Sequence, residues 1–390
     1  MTQYRSVSLK RGKEESLLRF HPWIFSGALQ RLDDSIAEGE VVRVVNSEGK
    51  FMAVGHYQQG SIAVRVLSFS DVPVDNAFWQ ERLRSALLMR KALGLVGFNS
   101  AYRLVHGEGD LLPGLIIDVY GQTAVMQAHS IGMHLCRRQI VESLMAVAAD
   151  DIKNVYYKSE TTLPFMEPEN GFIVGGSDDD IATENGLRFH VDWLRGQKTG
   201  FFVDQRENRA LLERYAQGRR VLNMFCYTGG FSFYAMRGGA TLVHSVDSSA
   251  KAIELTRANV ELNFPDDARH EAFCEDAFKY LENSGTQYDL VVLDPPAFAK
   301  HRGALHNALK GYTRLNQKAL EKMPPGSILF TFSCSQVVTK DHFRNAVFTA
   351  AALARRKVRI LHQLHQPADH PVNIYHPEGE YLKGLVLYVE

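Results

Sequence analysis

At 390 residues, with 45% apolar and 23% charged side chains, the chain has the length of two or three domains and core material for each. Lysine plus arginine and aspartate plus glutamate balance at 44 each, which excludes polyanion binding by bulk charge and confines any nucleic-acid surface to a local patch. The four cysteines, Cys136, Cys226, Cys274 and Cys334, have no C-x-x-C spacing, so neither a metal site nor a disulfide framework is expected, and reduced thiols suit a cytoplasmic protein.

In chain order, the N-terminus lacks the apolar core of a signal peptide, and no run approaches the ~18 apolar residues of a membrane span. Residues 1–70 read as a small β domain, barrel-like by its spacing: alternating runs at 41–45, 51–55 and 62–67 are punctuated by turns at Glu38-Gly39 and Ser47-Glu48-Gly49-Lys50. Lys10, Arg11, Lys13 and Arg19 precede His21-Pro22-Trp23-Ile24-Phe25. These residues fit a packed aromatic cluster with a solvated basic edge, or an RNA-contacting face in which Lys10, Arg11, His21 and Trp23 take part. A linker at 71–75 leads to a second domain over 74–192. There the spacing predicts helices over 78–93 and 133–147, a hairpin of 115–120 with 123–127, and strands at 154–157 and 187–191.

From about Trp193 to the C-terminus, strands and helices alternate, which predicts a doubly wound, mostly parallel sheet. Asp204 is expected to cap a helix with Ala210, Leu211 and Tyr215 on one face. The centre of this domain is the run Val221 to Tyr234: a short apolar strand, the turn Thr228-Gly229-Gly230, then a helix. In an open parallel sheet the cofactor binds at the carboxyl end of such a strand, where glycine lets the backbone approach. Ser248 or Ser249 caps the next helix, expected to turn Ala252, Leu255, Ala258 and Leu262 to one side.

Several chemistry-bearing residues fall at successive predicted strand ends. Asp247 follows Gly229 at close to the roughly 20-residue offset at which a carboxylate receives a ribose diol. Asp276 closes the third strand and Asp294 the fourth. In Asp294-Pro295-Pro296-Ala297-Phe298 the prolines force the chain out of the sheet, leaving a carboxylate at the crevice and an aromatic ring able to stack on a base. Cys334, in Ser333-Cys334-Ser335 beyond the fifth strand, has small polar neighbours that suit a partly exposed nucleophile. Cys226 reads equally as pocket lining or as packing. In Gly196-Gln197-Lys198-Thr199-Gly200-Phe201-Phe202, Lys198 can pair with a cofactor carboxylate, although an ordinary interdomain loop fits these residues as well.

Taken in order, Gln197-Lys198-Thr199-Gly200-Phe201-Phe202, Phe225-Cys226-Tyr227-Thr228-Gly229-Gly230-Phe231, Asp294-Pro295-Pro296 and Ser333-Cys334-Ser335 resemble class I S-adenosylmethionine-dependent RNA methyltransferases. More narrowly, with His21-Pro22-Trp23-Ile24-Phe25 and Arg103-Leu104-Val105-His106-Gly107-Glu108-Gly109-Asp110, the chain is similar to the 23S rRNA cytosine-C5 methyltransferase family that carries a PUA domain. The resemblance implies an α/β protein: an N-terminal PUA-like β-barrel, a central α+β domain and a Rossmann-like methyltransferase domain over 193–390, commonly as a homodimer. It implies S-adenosyl-L-methionine as cofactor and 23S ribosomal RNA as partner. Tyr227, Thr228, Gly229 and Asp247 would hold the amino-acid and ribose parts of the cofactor and Asp276 its adenine. Phe225, Lys198, Thr199 and Asp294 complete the expected cofactor set. Cys334 and Asp294 are the expected catalytic pair, with Pro295 and Phe298 on the RNA side.

One feature departs from many cytosine-C5 enzymes, which carry a second cysteine beside the fourth strand; here that position is Asp294-Pro295-Pro296. The base for the C5 proton is therefore unassigned. The same motif also resembles methyltransferases acting on nitrogen, so a guanine N-methyltransferase is the nearest rival. A non-catalytic RNA-binding or assembly protein is the alternative of another class.

Overall fold

The computed structural model describes residues 4–30, 35–97, 100–163, 169–177 and 179–390. The chain divides into two units: Met1–Gly186 with Val191–Val203 and Ala368–Gly379, and Leu187–His190 with Asp204–Pro367 and Glu380–Glu390.

The first unit holds two sheets. The N-terminal sheet has the order Arg5–Ser8, Val41–Val45, Phe51–Tyr57, Ile62–Ser68, Trp23–Phe25. Its three central strands are the alternating runs of the sequence. An antiparallel bridge from Leu9 to Leu29 ties the continuations of the two outer strands, so the sheet curls into a barrel around Val7, Leu9, Val42, Val44, Val64 and Val66. The second sheet has the order Asn170–Val174, Asn154–Lys158, Thr123–Ala128, Leu115–Tyr120, Ala101–His106. The helices Asn76–Ala92 and Arg137–Ala148 contribute Trp79, Leu83, Ile140 and Leu144 to its core. The first helix starts on Asp75, whose carboxylate accepts from the Phe78 amide at 3.1 Å. The helix expected over 133–147 is two, Ile131–Leu135 and Arg137–Ala148, because Cys136 at φ −84°, ψ 0° interrupts the ladder.

The motif from Arg103 to Asp110 is an internal brace of this unit. Arg103 donates to both carboxylate oxygens of Asp118 at 2.8 and 2.9 Å, and Arg90 grips Asp110 at 2.5 and 2.7 Å. The Trp23 indole N–H donates to Glu108 at 2.8 Å. The Arg90 side chain is fully buried and that of Asp110 nearly so; removing one partner of such a pair typically costs about 3–5 kcal/mol.

The second unit carries a seven-stranded sheet, whose strands are numbered here β1 Arg220–Met224, β2 Leu242–Asp247, β3 His270–Cys274, β4 Leu290–Leu293, β5 Ser327–Ser333, β6 Val358–Leu364 and β7 Lys383–Val389. Their spatial order is β3-β2-β1-β4-β5-β7-β6. The first five are mutually parallel and β7 is antiparallel to both neighbours. Every residue of β4 and β5 is buried, as continuous apolar strands covered on both faces require. Strand order reverses between β1 and β4, the place where such sheets open a crevice at their carboxyl ends.

Its helices are α1 Arg206–Tyr215, α2 Gly230–Arg237, α3 Ala250–Asn263, α4 Ala277–Asn283, α5 Leu305–Lys322 and α6 Lys340–Leu353. Three expectations need correction. Asp204 does not cap α1: a 3-10 turn over Val203–Gln205 puts Gln205 at the cap position, and the Asp204 carboxylate accepts from the Tyr381 hydroxyl at 2.7 Å. The buried side of α1 is Arg206, Asn208, Arg209 and Leu212, with Ala210, Leu211 and Tyr215 half-buried. The buried side of α3 is Ala252, Ile253, Thr256, Asn259 and Val260; Ala258 is exposed. In α3 the inward polar residues bond to the turn after β1, which hydrophobic periodicity cannot register.

Candidate active site

The turn after β1 is held in an unusual backbone conformation. Phe225, Tyr227 and Gly229 have φ of 58°, 48° and 84°, left-handed values that persist for non-glycine residues only where the surroundings enforce them. The Gly229 amide donates to the Cys226 carbonyl at 2.8 Å and the Cys226 amide to the Val246 carbonyl at 3.1 Å. The Thr256 hydroxyl donates to the Tyr227 carbonyl at 2.9 Å, and the Asn259 amide group to the Thr228 carbonyl at 3.2 Å. A side chain at Gly229 would lie 2.5 Å from the Phe233 ring and 2.8 Å from Thr256, so glycine is required by space as well as by φ. Beneath the turn, Asn223 donates to Ser232 at 3.0 Å, Ser232 pairs with Ser245 at 2.6 Å and Ser245 with His270 at 2.8 Å. Burial lowers the His270 pKa to about 4, so this chain is uncharged at neutral pH.

Asp247, at the end of β2, accepts from the Tyr227 amide at 3.1 Å and from the Ser249 amide at 2.9 Å. It thus fixes the turn and stays half-exposed at its rim. Ser249 caps α3, accepting from the Ala252 amide at 3.3 Å. Asp276 is exposed and caps α4, with one carboxylate oxygen accepting from the Phe278 and Lys279 amides at 3.0 and 3.1 Å. Cys226 is buried, packed with Ile253 and Ala272. Burial foremost, then the Asp247 charge, pushes its thiol pKa up to about 12, which disfavours the thiolate.

Across the strand reversal lies the second group. Asp294 is half-buried and accepts from the Gln205 side-chain amide at 3.0 Å; Pro295 is buried and Pro296 exposed. Phe298 is half-buried and packs on Tyr312, centroids 4.6 Å apart. The Ser333 hydroxyl donates to Tyr312 at 2.9 Å and that of Ser335 to the Ala299 carbonyl at 2.5 Å. Between these tethered serines Cys334 is half-buried. The Tyr312 phenol, on α5, is pushed up to about 12 by burial, with the charges of both Cys334 and Asp294 adding to the effect. Asp294 and Cys334 thus stand just beyond the carboxyl ends of β4 and β5, which are neighbours in the sheet. Tyr312, Thr256 and Asn259 were not singled out by sequence reasoning; the one signal for the last two was a polar residue inside an amphipathic helical stripe.

The remaining expected residues belong to the first unit. Lys198 has φ of 50° and its ammonium lies 4.8 Å from the Phe202 ring centre. The Thr199 hydroxyl is buried, donates to Asp118 at 2.6 Å and shares a hydrogen bond with Tyr120 at 3.0 Å. Lys10 is exposed, donating to the Gly27 carbonyl at 3.0 Å, and Arg11 is exposed. His21 accepts from the Trp23 amide at 3.1 Å, and the Trp23 ring packs 4.3 Å from His376. The aromatic residues form a cluster and the basic ones a solvent-accessible edge.

Among the described residues, no group of three or more His, Cys, Asp or Glu is arranged to hold a metal ion, and no helix is long and apolar enough to cross a membrane.

A mostly parallel sheet with a glycine turn after β1 and an acidic residue at the end of β2 is the arrangement with which Rossmann-like proteins bind nucleotide cofactors. Residues 174–375 match the family model for S-adenosylmethionine-dependent methyltransferases, and residues 7–69 match that for a PUA-like domain. The chain is 41% identical over 393 residues to the ribosomal RNA large subunit methyltransferase I of Tolumonas auensis, with 98% of each chain covered. To the protein of that name from Escherichia coli O139:H28 it is 38% identical over 391 residues, again with 98% of each covered. A solved chain, a putative SAM-dependent methyltransferase from Streptococcus mutans, has the same fold at 24% identity, with a TM-score of 0.85 over 98% of this chain and 99% of that one. The chain belongs to the S-adenosylmethionine-dependent methyltransferases and, within them, to the family of ribosomal RNA large subunit methyltransferase I. It is an enzyme whose cofactor is S-adenosylmethionine, and family, fold class and cofactor are those expected from the motifs. The residues fit that group: a backbone turn locked open by Thr256 and Asn259, a glycine where no side chain fits, and carboxylates beyond β2 and β3.

Proposed function

We propose that the chain methylates C5 of a cytosine in large-subunit ribosomal RNA, with Cys334 as nucleophile. The observation that carries this reading is the Ser333-Cys334-Ser335 turn after β5, held by Ser333 on the Tyr312 hydroxyl and Ser335 on the Ala299 carbonyl, on the strand next to the one that ends at Asp294. The large-subunit rRNA named for the relatives supplies the substrate class. In this reading Phe225, Tyr227, Thr228, Gly229 and Asp247 hold the amino-acid and ribose parts of the cofactor and Asp276 its adenine. When bound, the cofactor supplies an electrophilic methyl group on a positively charged sulfur.

C5 of cytosine is a poor nucleophile. Addition of the Cys334 thiolate to C6 moves the C5–C6 π pair onto C5, which can then take the methyl group. Loss of the C5 proton and expulsion of Cys334 restore the ring. Asp294 faces N3 or the exocyclic amine and stabilises charge as the ring accepts electrons. The target base leaves its stack to reach the crevice, with Pro295 and Phe298 beside it. The same reading includes a cytoplasmic homodimer.

The test is Cys334→Ala. Methyl transfer to rRNA should fall by at least about a thousandfold while calorimetric affinity for S-adenosylmethionine persists. Tritium should also be released from C5-labelled cytosine by the unmodified enzyme. Full transfer by the variant without tritium release would replace this reading with nitrogen methylation through Asp294-Pro295-Pro296. Cofactor binding by the unmodified protein with no transfer to any RNA would leave an RNA-binding or assembly protein.

The exposed Lys10 and Arg11 contact the RNA backbone in this reading, with His21 and Trp23 behind them. Lys10→Ala with Arg11→Ala should weaken RNA binding and make its logarithmic salt dependence shallower by roughly one unit per charge, leaving cofactor affinity unchanged. An unaltered salt slope would make this edge ordinary solvated surface.

A further inference from the structure

A buried lysine opens the otherwise apolar strand β7. Lys383 opens β7, a strand otherwise of Gly384, Leu385, Val386, Leu387, Tyr388 and Val389, and is 6% exposed. It pairs in register with Ser333, the last residue of β5. Its ammonium donates to the Ser335 carbonyl at 2.6 Å. The lysine thus closes the Ser333-Cys334-Ser335 turn from one side while Tyr312 holds Ser333 from another. A buried ammonium with a single neutral acceptor is costly unless an opposite charge forms beside it. We propose that Lys383 is the charge partner of Cys334: its ammonium, held on the Ser335 carbonyl, favours the thiolate that adds to C6 and that is released at the end of the cycle.

This rests on the reading of Cys334 as nucleophile. Burial lowers the Lys383 pKa to about 8, and the Cys334 charge pulls it back up. Such coupling is reciprocal, so the ammonium favours the thiolate to the same degree. The other groups facing Lys383 are Lys340, which opposes its charge, and Glu380, which supports it. These two pair with each other at 2.8 Å on the half-exposed rim. Tyr312, facing Cys334 from α5, stays a neutral phenol because its pKa lies near 12. The electron count closes without consuming the lysine. The thiol proton goes to solvent and the sulfur pair forms the S–C6 bond. At elimination C5 loses its proton and the S–C6 pair returns to sulfur opposite the same ammonium. Lys383 is a positioning residue, and it keeps its proton throughout.

The experiment measures the rate of Cys334 alkylation by iodoacetamide against pH in the full-length protein, read by peptide mass spectrometry. The unmodified protein should titrate below the free-cysteine value of about 8.5. Lys383→Gln keeps an N–H donor for the Ser335 carbonyl but removes the charge; its midpoint should rise by about one unit, slowing alkylation near neutral pH about tenfold. Lys383→Arg keeps the charge and should hold the midpoint low. Superimposable profiles for the unmodified protein and Lys383→Gln would overturn the proposal, reducing the lysine to a tether. If Lys383→Gln loses cofactor binding and so its fold, a midpoint at or above the free-cysteine value in the unmodified protein overturns it equally. Because alkylation needs no RNA, it can fail while Cys334→Ala still abolishes transfer, which separates this proposal from the reading beneath it.

Discussion

Cys226 and Cys334 each follow a parallel strand of one sheet, β1 and β5, and their surroundings are opposite. Cys226 is packed against Ile253 and Ala272, with a carboxylate as its charged neighbour and a thiol pKa pushed up to about 12. Cys334 is half-buried between two tethered serines with the Lys383 ammonium in electrostatic range. A strand end alone therefore does not make a thiol reactive; the charges and packing delivered by neighbouring elements do. The two halves of the strand-end edge divide accordingly. The half at β1, β2 and β3 presents strained backbone and carboxylates. The half at β4, β5 and β7 presents a thiol, a carboxylate, a phenol and a buried amine.

If that division holds, damage to the first half should remove the cofactor and spare the thiol chemistry. Asp247→Ala gives the larger effect. It deletes an acceptor that a ribose diol would use and frees the Tyr227 amide, which donates to it at 3.1 Å. Hydrogen bonds to a charged group contribute about 1.5–3 kcal/mol, so cofactor affinity should fall roughly ten- to hundredfold. The rate and pH profile of Cys334 alkylation should not change. Affinity within about twofold of the unmodified protein would remove Asp247 from the cofactor set, and a shifted alkylation profile would show the halves to be coupled.

Much of this arrangement was legible in the chain. The strand-turn-helix at Val221 to Tyr234 became β1, the glycine turn and α2, because a continuous apolar strand and a glycine at φ 84° leave little alternative. Asp247, Asp276 and Asp294 lie at or just beyond the ends of β2, β3 and β4 as expected. What periodicity could not reveal were side chains whose role is polar and inward. Thr256 and Asn259 broke the apolar stripe of α3 because they bond to the carbonyls of Tyr227 and Thr228. The type and place of Asp204 suggest a helix cap, whereas its partner Tyr381 lies far along the chain. Lys383 was hidden for the same reason: nothing local distinguishes a lysine at a strand start from one facing solvent, and only the β5–β7 register sets it beside the Cys334 turn.

The smallest expected effect tests the other side of the comparison. Cys226 is buried with Ile253 and Ala272, its sulfur 3.8 Å from the Thr256 hydroxyl, and a thiol is a weak hydrogen-bonding group. Cys226→Ala removes one buried sulfur and should lower stability by about 1 kcal/mol, read as a lower urea midpoint with unchanged slope. Methyl transfer should remain within about twofold, because Thr256 and Asn259 still hold the turn without the thiol. In the unmodified protein Cys226 should resist alkylation under native conditions at every pH where Cys334 reacts, since burial opposes its thiolate. Rapid alkylation of Cys226, or loss of transfer in a variant that still folds and binds cofactor, would place chemistry in the first half of the edge and end the division of labour between the two cysteines.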